Sequence, residues 1–256
     1  MIYFYNVGLW VILFSVVVQN MSESIMTFKR VEKKYLLSQE KYNALWELMS
    51  AHLMPDKFHH STVCSIYYDN ENYSLIRQSL EKPVFKEKLR VRSYNTPSPD
   101  GEVFIELKKK FKGVVYKRRV AMPCAQASDY LAGRIPPPLN DVTMNEIDWF
   151  IKENKVLPKV FIGCDRYAYV ALDNPELRIT FDKELRWRED RLDLTLGSDG
   201  ELLTAPGDVL MEIKIPGAAP MWLARMLSDL EVFPTSFSKY GTAFSKHILL
   251  NYFTME

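Results

Sequence analysis

The chain has 256 residues, 33 Lys+Arg against 32 Asp+Glu and 47% hydrophobic residues, the composition of one large globular domain or two small ones. This excludes a disordered tail protein and a coiled coil. A net charge of +1 argues against wholesale polyanion binding of the histone kind, although a mean near zero can hide local segregation. Cys64, Cys124 and Cys164 lie far apart without C-x-x-C spacing. A thiolate zinc site is therefore not indicated, a disulfide framework would leave one thiol over, and a reducing, cytoplasmic compartment fits. Neither a Walker nor a dinucleotide-type glycine loop occurs, and there is no internal repeat.

Residues 1–20 form an apolar leader, of which 1–18 would span about 27 Å as a helix, close to the hydrocarbon core of a bilayer. Three readings fit it: a short anchor that would bring the chain to a membrane through residues 1–18, a secretory signal, or a dispensable extension ahead of Met21 and Met26. A signal would carry an early Lys or Arg and a small-x-small cleavage site, and neither is clear. The soluble domain is read as residues 27–253.

From Phe28 the sequence alternates. A strand over 28–37 would put Arg30, Glu32 and Lys34 on one face and Val31 and Tyr35 on the other. Ser38 opens a helix whose apolar positions are Tyr42, Leu45, Trp46, Met49 and Leu53. Strands follow at 63–69 and 85–95, the second with Lys86, Lys88, Arg90 and Arg92 at every second position. After a turn at Pro97–Gly101, Glu106, Lys108 and Lys110 share a strand face with Phe104; a hairpin turn at Lys112–Gly113 leads to a strand bearing Lys117 and Arg119. Helices are predicted over 125–132 and 144–154, the second with a Thr143-x-x-Glu146 capping box and an apolar stripe of Ile147, Phe150 and Ile151. Strands are then expected over 159–172, 177–188 and 208–215, and helices over 222–230 and 237–253.

Locally the charge is not balanced: from Lys86 to Arg119 there are 11 Lys/Arg against 4 Asp/Glu. One such strand is most simply a half-solvated antiparallel strand with a wet face. Many together differ, because the same long cations recur at Arg166, Arg178 and Lys214, with a few carboxylates such as Glu212 among them. A curved or closed antiparallel sheet would aim these faces at each other, which is tolerable only if an anion and metal ions neutralise them. Arg forks and Lys point charges suit phosphate, and interspersed Glu suits Mn²⁺ or Mg²⁺ bridging phosphate oxygens. The implied ligand is a compact polyanion such as a triphosphate; an inward-facing tunnel cannot admit duplex nucleic acid, so no nucleic-acid partner is expected.

The series R-x-E-x-K (Arg30, Glu32, Lys34), K-L-R-x-R-x-Y (Lys88 to Tyr94), E-x-K (Glu106, Lys108), K-x-R (Lys117, Arg119), D-R-x-A-Y (Asp165 to Tyr169), L-R-I-T-F-D (Leu177 to Asp182), E-I-K (Glu212 to Lys214) and S-F-S-K-Y (Ser236 to Tyr240) resembles the VTC domain, the polyphosphate polymerase branch of the triphosphate tunnel (CYTH-like) metalloenzymes. The likeness runs in order from about Phe28 to Phe244. It implies an α+β fold: an antiparallel eight-stranded β-barrel, the triphosphate tunnel, with flanking helices. It also implies a metal-dependent phosphotransferase that moves the terminal phosphoryl group of ATP to a growing inorganic polyphosphate chain. The alternatives are an inorganic triphosphatase and a non-catalytic polyphosphate- or nucleotide-binding module. Carried over, the catalytic set is Lys34, Arg90, Arg92, Lys108, Lys117 and Arg166; the further phosphate contacts are Arg30, Lys88, Arg119, Arg178, Lys214, Ser238 and Lys239; and Glu212, Glu32 and Glu106 hold the Mn²⁺ or Mg²⁺. Cys164 departs from the pattern, because many relatives carry Tyr there.

The remaining candidates have plainer readings. His52, His59, His60 and His247 are scattered, with the His59–His60 pair read as a loop, and no carboxylate or Cys stands at ligand spacing from them. The three cysteines read as small buried residues, Trp222 and the C-terminal aromatics as core. Arg186, Arg188 and Arg191 read either as rim cations at a polymer exit or as a solvated turn.

Overall fold

The structure, a computed structural model, describes residues 30–112 and 114–249. The leader, and with it the anchor reading, lies outside the described residues. Among those described, no helix is long and apolar enough to cross a membrane.

Nine strands form one antiparallel sheet: β1 (Arg30–Leu37), β2 (Leu53–Asp69), β3 (Phe85–Tyr94), β4 (Glu102–Phe111), β5 (Val114–Pro123), β6 (Leu157–Ala171), β7 (Arg178–Arg188), β8 (Glu201–Leu202) and β9 (Val209–Pro216). Their order is β1-β9-β7-β6-β2-β3-β4-β5, with the two-residue β8 pairing only with β7. The expected barrel is thus present as eight long strands plus a short ninth. The ladder is open between β1 and β5, but the sheet curls far enough for Glu32 and Lys34 of β1 to act on Lys108 of β4 across the interior.

Period-two alternation divides the sheet into two faces. On the convex face of β2 to β5, Ile66, Leu89, Val91, Ile105, Leu107 and Val120 pack under α3 (Cys124–Leu131) and α4 (Val142–Asn154). On the convex face of β1, β9 and β7, Tyr35, Met211, Ile213 and Phe181 pack under α1 (Gln39–Met49) and α5 (Met221–Asp229). Leu45 and Met49 of α1 are both fully buried there, each contributing about 2–3 kcal/mol of apolar burial. A third apolar cluster includes Val63, Tyr67, Ile76 of α2 (Ser74–Leu80), Ile162, Cys164, Leu185, Tyr240 and Phe244, and it seats α6 (Lys239–Ala243) and the π turn Phe244–Ile248 against the sheet.

Several boundaries differ from expectation for identifiable reasons. Ser38 does cap α1, its Oγ accepting from Lys41 N at 3.2 Å, but the helix stops at Met49 and Leu53 opens β2. β2 runs 17 residues rather than seven, so His59 and His60 are strand residues, with His59 Nδ1 against Ala168 O at 3.2 Å. The α4 cap is Asp141, whose Oδ1 accepts from Met144 N at 2.7 Å. Thr143 therefore lies inside the helix, and Glu146 is drawn outward to Lys109 at 2.9 Å and Arg118 at 2.8 Å. The C-terminal helix starts at Lys239, where Ser238 Oγ accepts from Gly241 N. Arg186 and Arg188 belong to β7, not to a turn: Arg186 pairs with Asp165 at 3.1 Å, while Arg188, over the Phe161 ring at 3.7 Å, donates to the carbonyls of Arg191, Asp193, Gly197 and Asp199. Arg191 is the surface residue of the three, paired with Asp190 and Asp199. All three cysteines are buried and free.

Candidate active site

The concave face carries rows of side chains set by strand register. Across β3, β4 and β5 these rows are Arg92–Phe104–Ala121, Arg90–Glu106–Arg119, Lys88–Lys108–Lys117 and Lys86–Lys110–Val115. Across β1, β9 and β7 they are Lys34–Glu212–Thr180 and Glu32–Lys214–Arg178, and β6 adds Arg166 opposite Asp182.

Two acid centres organise the cations. In the first, Glu106 is 1% exposed and receives Arg90 (2.7 Å), Lys117 (2.6 Å) and Arg119, whose Nε donates at 2.7 Å. Burial alone would raise its pKa, but Arg90 and Arg92 outweigh that and hold the carboxyl well below the usual carboxylate range. In the second, Asp182 is fully buried and accepts a bidentate pair from Arg166 at 2.6 and 2.7 Å together with Lys239 Nζ at 2.6 Å. Lys239 also reaches Glu212 Oε1 at 3.2 Å, and Lys34 lies 3.2 Å from the same oxygen and 3.8 Å from Glu32. Despite burial, Lys239 and Arg166 hold Asp182 below its ordinary value, and Lys239 and Lys34 do the same for Glu212.

Between these centres stand cations without an acid. Lys108 and Lys214 make no ion pair among the described residues, Lys88 has only Ser238 Oγ at 2.9 Å, and buried Arg92 has only Ser65 Oγ at 3.1 Å. Burial, with Lys86 and Lys108 nearby, pushes Lys88 down to about 8, and burial also lowers Lys108 and Lys214. Such a group of desolvated cations is unfavourable alone and favourable around an anion.

Of the remaining expected residues, Arg178 sits at the rim, paired with Asp56 at 2.8 Å, and Arg30 stands at the first position of β1 opposite Pro216. Sequence alone assigns no role to four residues of the site: Asp182, Tyr67, Ser65 and Thr180. Asp182 stands in sequence only as the end of the L-R-I-T-F-D motif. Tyr67 accepts from Arg90 at 3.0 Å, and although burial opposes it, Arg90, Arg92 and Lys239 bring its phenol down to about 8. Ser65 holds Arg92. Alternation within 63–69 puts Ser65 and Tyr67 on one face, the signal that could have found them.

A divalent cation can be tested against these donors. The described residues include no group of three or more His, Cys, Asp or Glu side chains suited to one ion, so a protein-only cage is absent among them. Glu212 and Asp182 share Lys239, and beside Glu212 the buried Thr180 Oγ1 has no hydrogen-bond partner. One or two carboxylates with a spare oxygen fit a Mg²⁺- or Mn²⁺-sized ion that takes its other ligands from water and phosphate.

The profile of the VTC domain family matches residues 29–248. The chain belongs to the VTC domain family. Among solved structures, this VTC chain is similar to a putative adenylate cyclase from Bacillus halodurans at 13% identity and a TM-score of 0.52, covering 82% of this chain and 93% of that one. A putative adenylyl cyclase from Hippeastrum, described as having a dominant triphosphatase activity, aligns at 13% identity and a TM-score of 0.44, covering 84% and 95%. The Mimivirus capping enzyme triphosphatase aligns at 11% identity and a TM-score of 0.35, covering 84% and 94%. The first supports the tunnel fold for this VTC domain.

Proposed function

We propose that the tunnel binds the triphosphate of ATP and transfers its terminal phosphoryl group to an inorganic polyphosphate chain. The observation that carries this reading is the set of acid-free cations, Lys88, Lys108, Lys214 and Arg92, between two carboxylate centres on one concave face. Phosphoryl transfer needs in-line positioning and charge stabilisation rather than a covalent nucleophile, and no activated nucleophile is required of this site. Lys88, Lys108 and Arg92 would hold phosphate oxygens directly. Arg90, Lys117 and Arg119 are oriented by Glu106 and turn their remaining donors to the same space; Arg166 and Lys239 are fixed by Asp182. Glu106 acts in this reading as a counter-ion rather than a metal ligand, because cations hold both of its oxygens at 2.6–2.7 Å, whereas among the described residues Glu212 Oε2 has only Arg166, at 3.9 Å. Glu212, with Thr180 and Glu32 beside it, would hold Mn²⁺ or Mg²⁺, which supplies charge neutralisation on the phosphates when bound. Lys34, adjoining Glu212, would stabilise the transferred group.

The test is incubation of the protein with ATP and Mn²⁺ and resolution of the products by size. Long-chain polymer is expected. Orthophosphate alone, from ATP or tripolyphosphate, would make the acceptor water, and tight binding without turnover would make the domain a binding module. Glu212→Gln should abolish metal-dependent turnover and leave cooperative unfolding intact; full turnover in that variant overturns the metal assignment.

A further inference from the structure

The concave face of β3 and β4 changes character along its length. At one end the alternating cations give way to aromatics: Tyr94 follows Lys86, Lys88, Arg90 and Arg92 on the same face, and Phe104 stands opposite Arg92. Tyr94 is 44% exposed, its ring meets Phe104 edge-on with centroids 5.9 Å apart, and Arg119 lies over Phe104 at 4.3 Å while reaching the Tyr94 hydroxyl at 3.4 Å. At the other end, about 26 Å along β3 at roughly 3.3 Å per residue, a cavity of about 430 Å³ is lined by Lys82, Pro83, Val84, Lys86, Lys110, Lys112 and Ser236, with no carboxylate among them. One end therefore offers a π surface beside an arginine, and the other, farther off than one nucleoside triphosphate spans, offers four ammonium groups to a longer phosphate chain.

We propose that the tunnel is polarised, with the nucleoside base of the donor stacked on Tyr94 at the Phe104 end and the phosphate chain running inward past Lys88 and Lys108 toward the Lys82–Lys112 cavity. This rests on the triphosphate reading above. A base fits the aromatic end because every nucleobase has a π face that stacks on tyrosine or on a guanidinium plane, and because Arg119 is already held over Phe104 there. The lysine cavity offers a base no ring and offers a phosphate four cations.

The experiment compares the affinities of ATP and inorganic tripolyphosphate, each with Mg²⁺, by titration calorimetry in the wild type, Tyr94→Ala, Tyr94→Phe and Lys82→Ala/Lys112→Ala. Tyr94→Ala is expected to weaken ATP by about tenfold, within the range set by base–aromatic stacking, while tripolyphosphate changes less than twofold. Tyr94→Phe keeps the ring and should bind ATP like the wild type. The lysine pair should leave the ratio of the two affinities unchanged. Equal loss of both ligands in Tyr94→Ala, no loss of either, or an ATP-selective loss in the lysine pair would overturn the polarity. A wild-type protein that binds neither ligand would instead overturn the triphosphate reading, and the polarity with it. Because Tyr94 is 44% exposed and lies outside the buried clusters, its variants keep the packed core, and unchanged unfolding curves check this.

Discussion

The two acid centres of the tunnel reach similar electrostatics by different routes. Glu106 is neutralised by Arg90, Lys117 and Arg119 from strands adjacent to its own, so the cluster is a product of hairpin register. Asp182 and Glu212 are neutralised by Arg166 from β6, Lys34 from β1 and Lys239 from α6, parts of the chain up to about two hundred residues apart. The first centre needs only the β3–β4–β5 ribbon. The second also uses strand register, with Arg166 opposite Asp182 and Lys34 opposite Glu212, but it is complete only when β1 has joined β9 and α6 has docked Lys239. The Glu106 centre thus reports local pairing, and the Asp182 centre reports completed tertiary structure.

The largest expected effect follows from that difference. Asp182→Asn should leave buried Arg166 and Lys239 without their shared carboxylate and destabilise the fold by about 3–5 kcal/mol, read as a lowered denaturant midpoint with an unchanged slope. A loss below about 1 kcal/mol would mean that Glu212 takes over both cations, and the centre would then be more tolerant than that of Glu106.

Glu106→Gln should cost less, about 2–3 kcal/mol, because Lys117 and Arg119 are partly exposed and regain water. It should also change the acid limb of stability. Glu106 is held below the ordinary carboxylate range, so the unfolded chain binds more protons as pH falls below about 4–5. Its contribution is therefore complete above that range and is lost as pH falls through the depressed value. The Gln variant should lose part of this acid slope, and an unchanged slope between pH 2 and 5 would show that Asp182 and Glu212 carry it alone.

The contrast between the centres also explains what the sequence made legible. Lys86, Lys88, Arg90 and Arg92 could be placed on one face because strand side chains alternate, and neighbouring strands repeated the pattern. The same pattern could not distinguish Glu106 as a counter-ion from Glu106 as a metal ligand, since that depends on which residue of β5 the register sets opposite it. Lys239 could be expected near phosphate from its motif, but nothing local tied it to Asp182, 57 positions earlier. Tyr67 stands in an apolar run, and Asp141 and Thr143 are both good helix caps two positions apart, which local sequence does not rank. Short-range competition of this kind is decided by packing: α4 starts early enough for Glu146 to meet Lys109 and Arg118.

Between the centres, Lys88 gives a pH-dependent test. With its ammonium brought down to about 8, it is charged below that pH and neutral above. Tripolyphosphate affinity should therefore fall as pH rises through about 8, and Lys88→Arg should leave only the smaller part of that fall that belongs to the Tyr67 phenol, also brought down to about 8, since guanidinium stays protonated. A wild-type profile flat from pH 7 to 9 would place Lys88 outside the phosphate path.

The smallest effect belongs to Arg178, an expected phosphate contact whose charge is already paired. Its side chain is 41% exposed and already paired with Asp56 at 2.8 Å, an arrangement whose net worth is typically below about 1 kcal/mol. Lys214 lies opposite it on β9 with no acid partner, so the two cations of that row differ in availability rather than position. Arg178→Ala should change triphosphate affinity by less than about threefold, and Lys214→Ala by more, a ranking that follows from desolvation and pairing. The reverse order would show that the rim, not the interior between the two acid centres, holds the end of the anion.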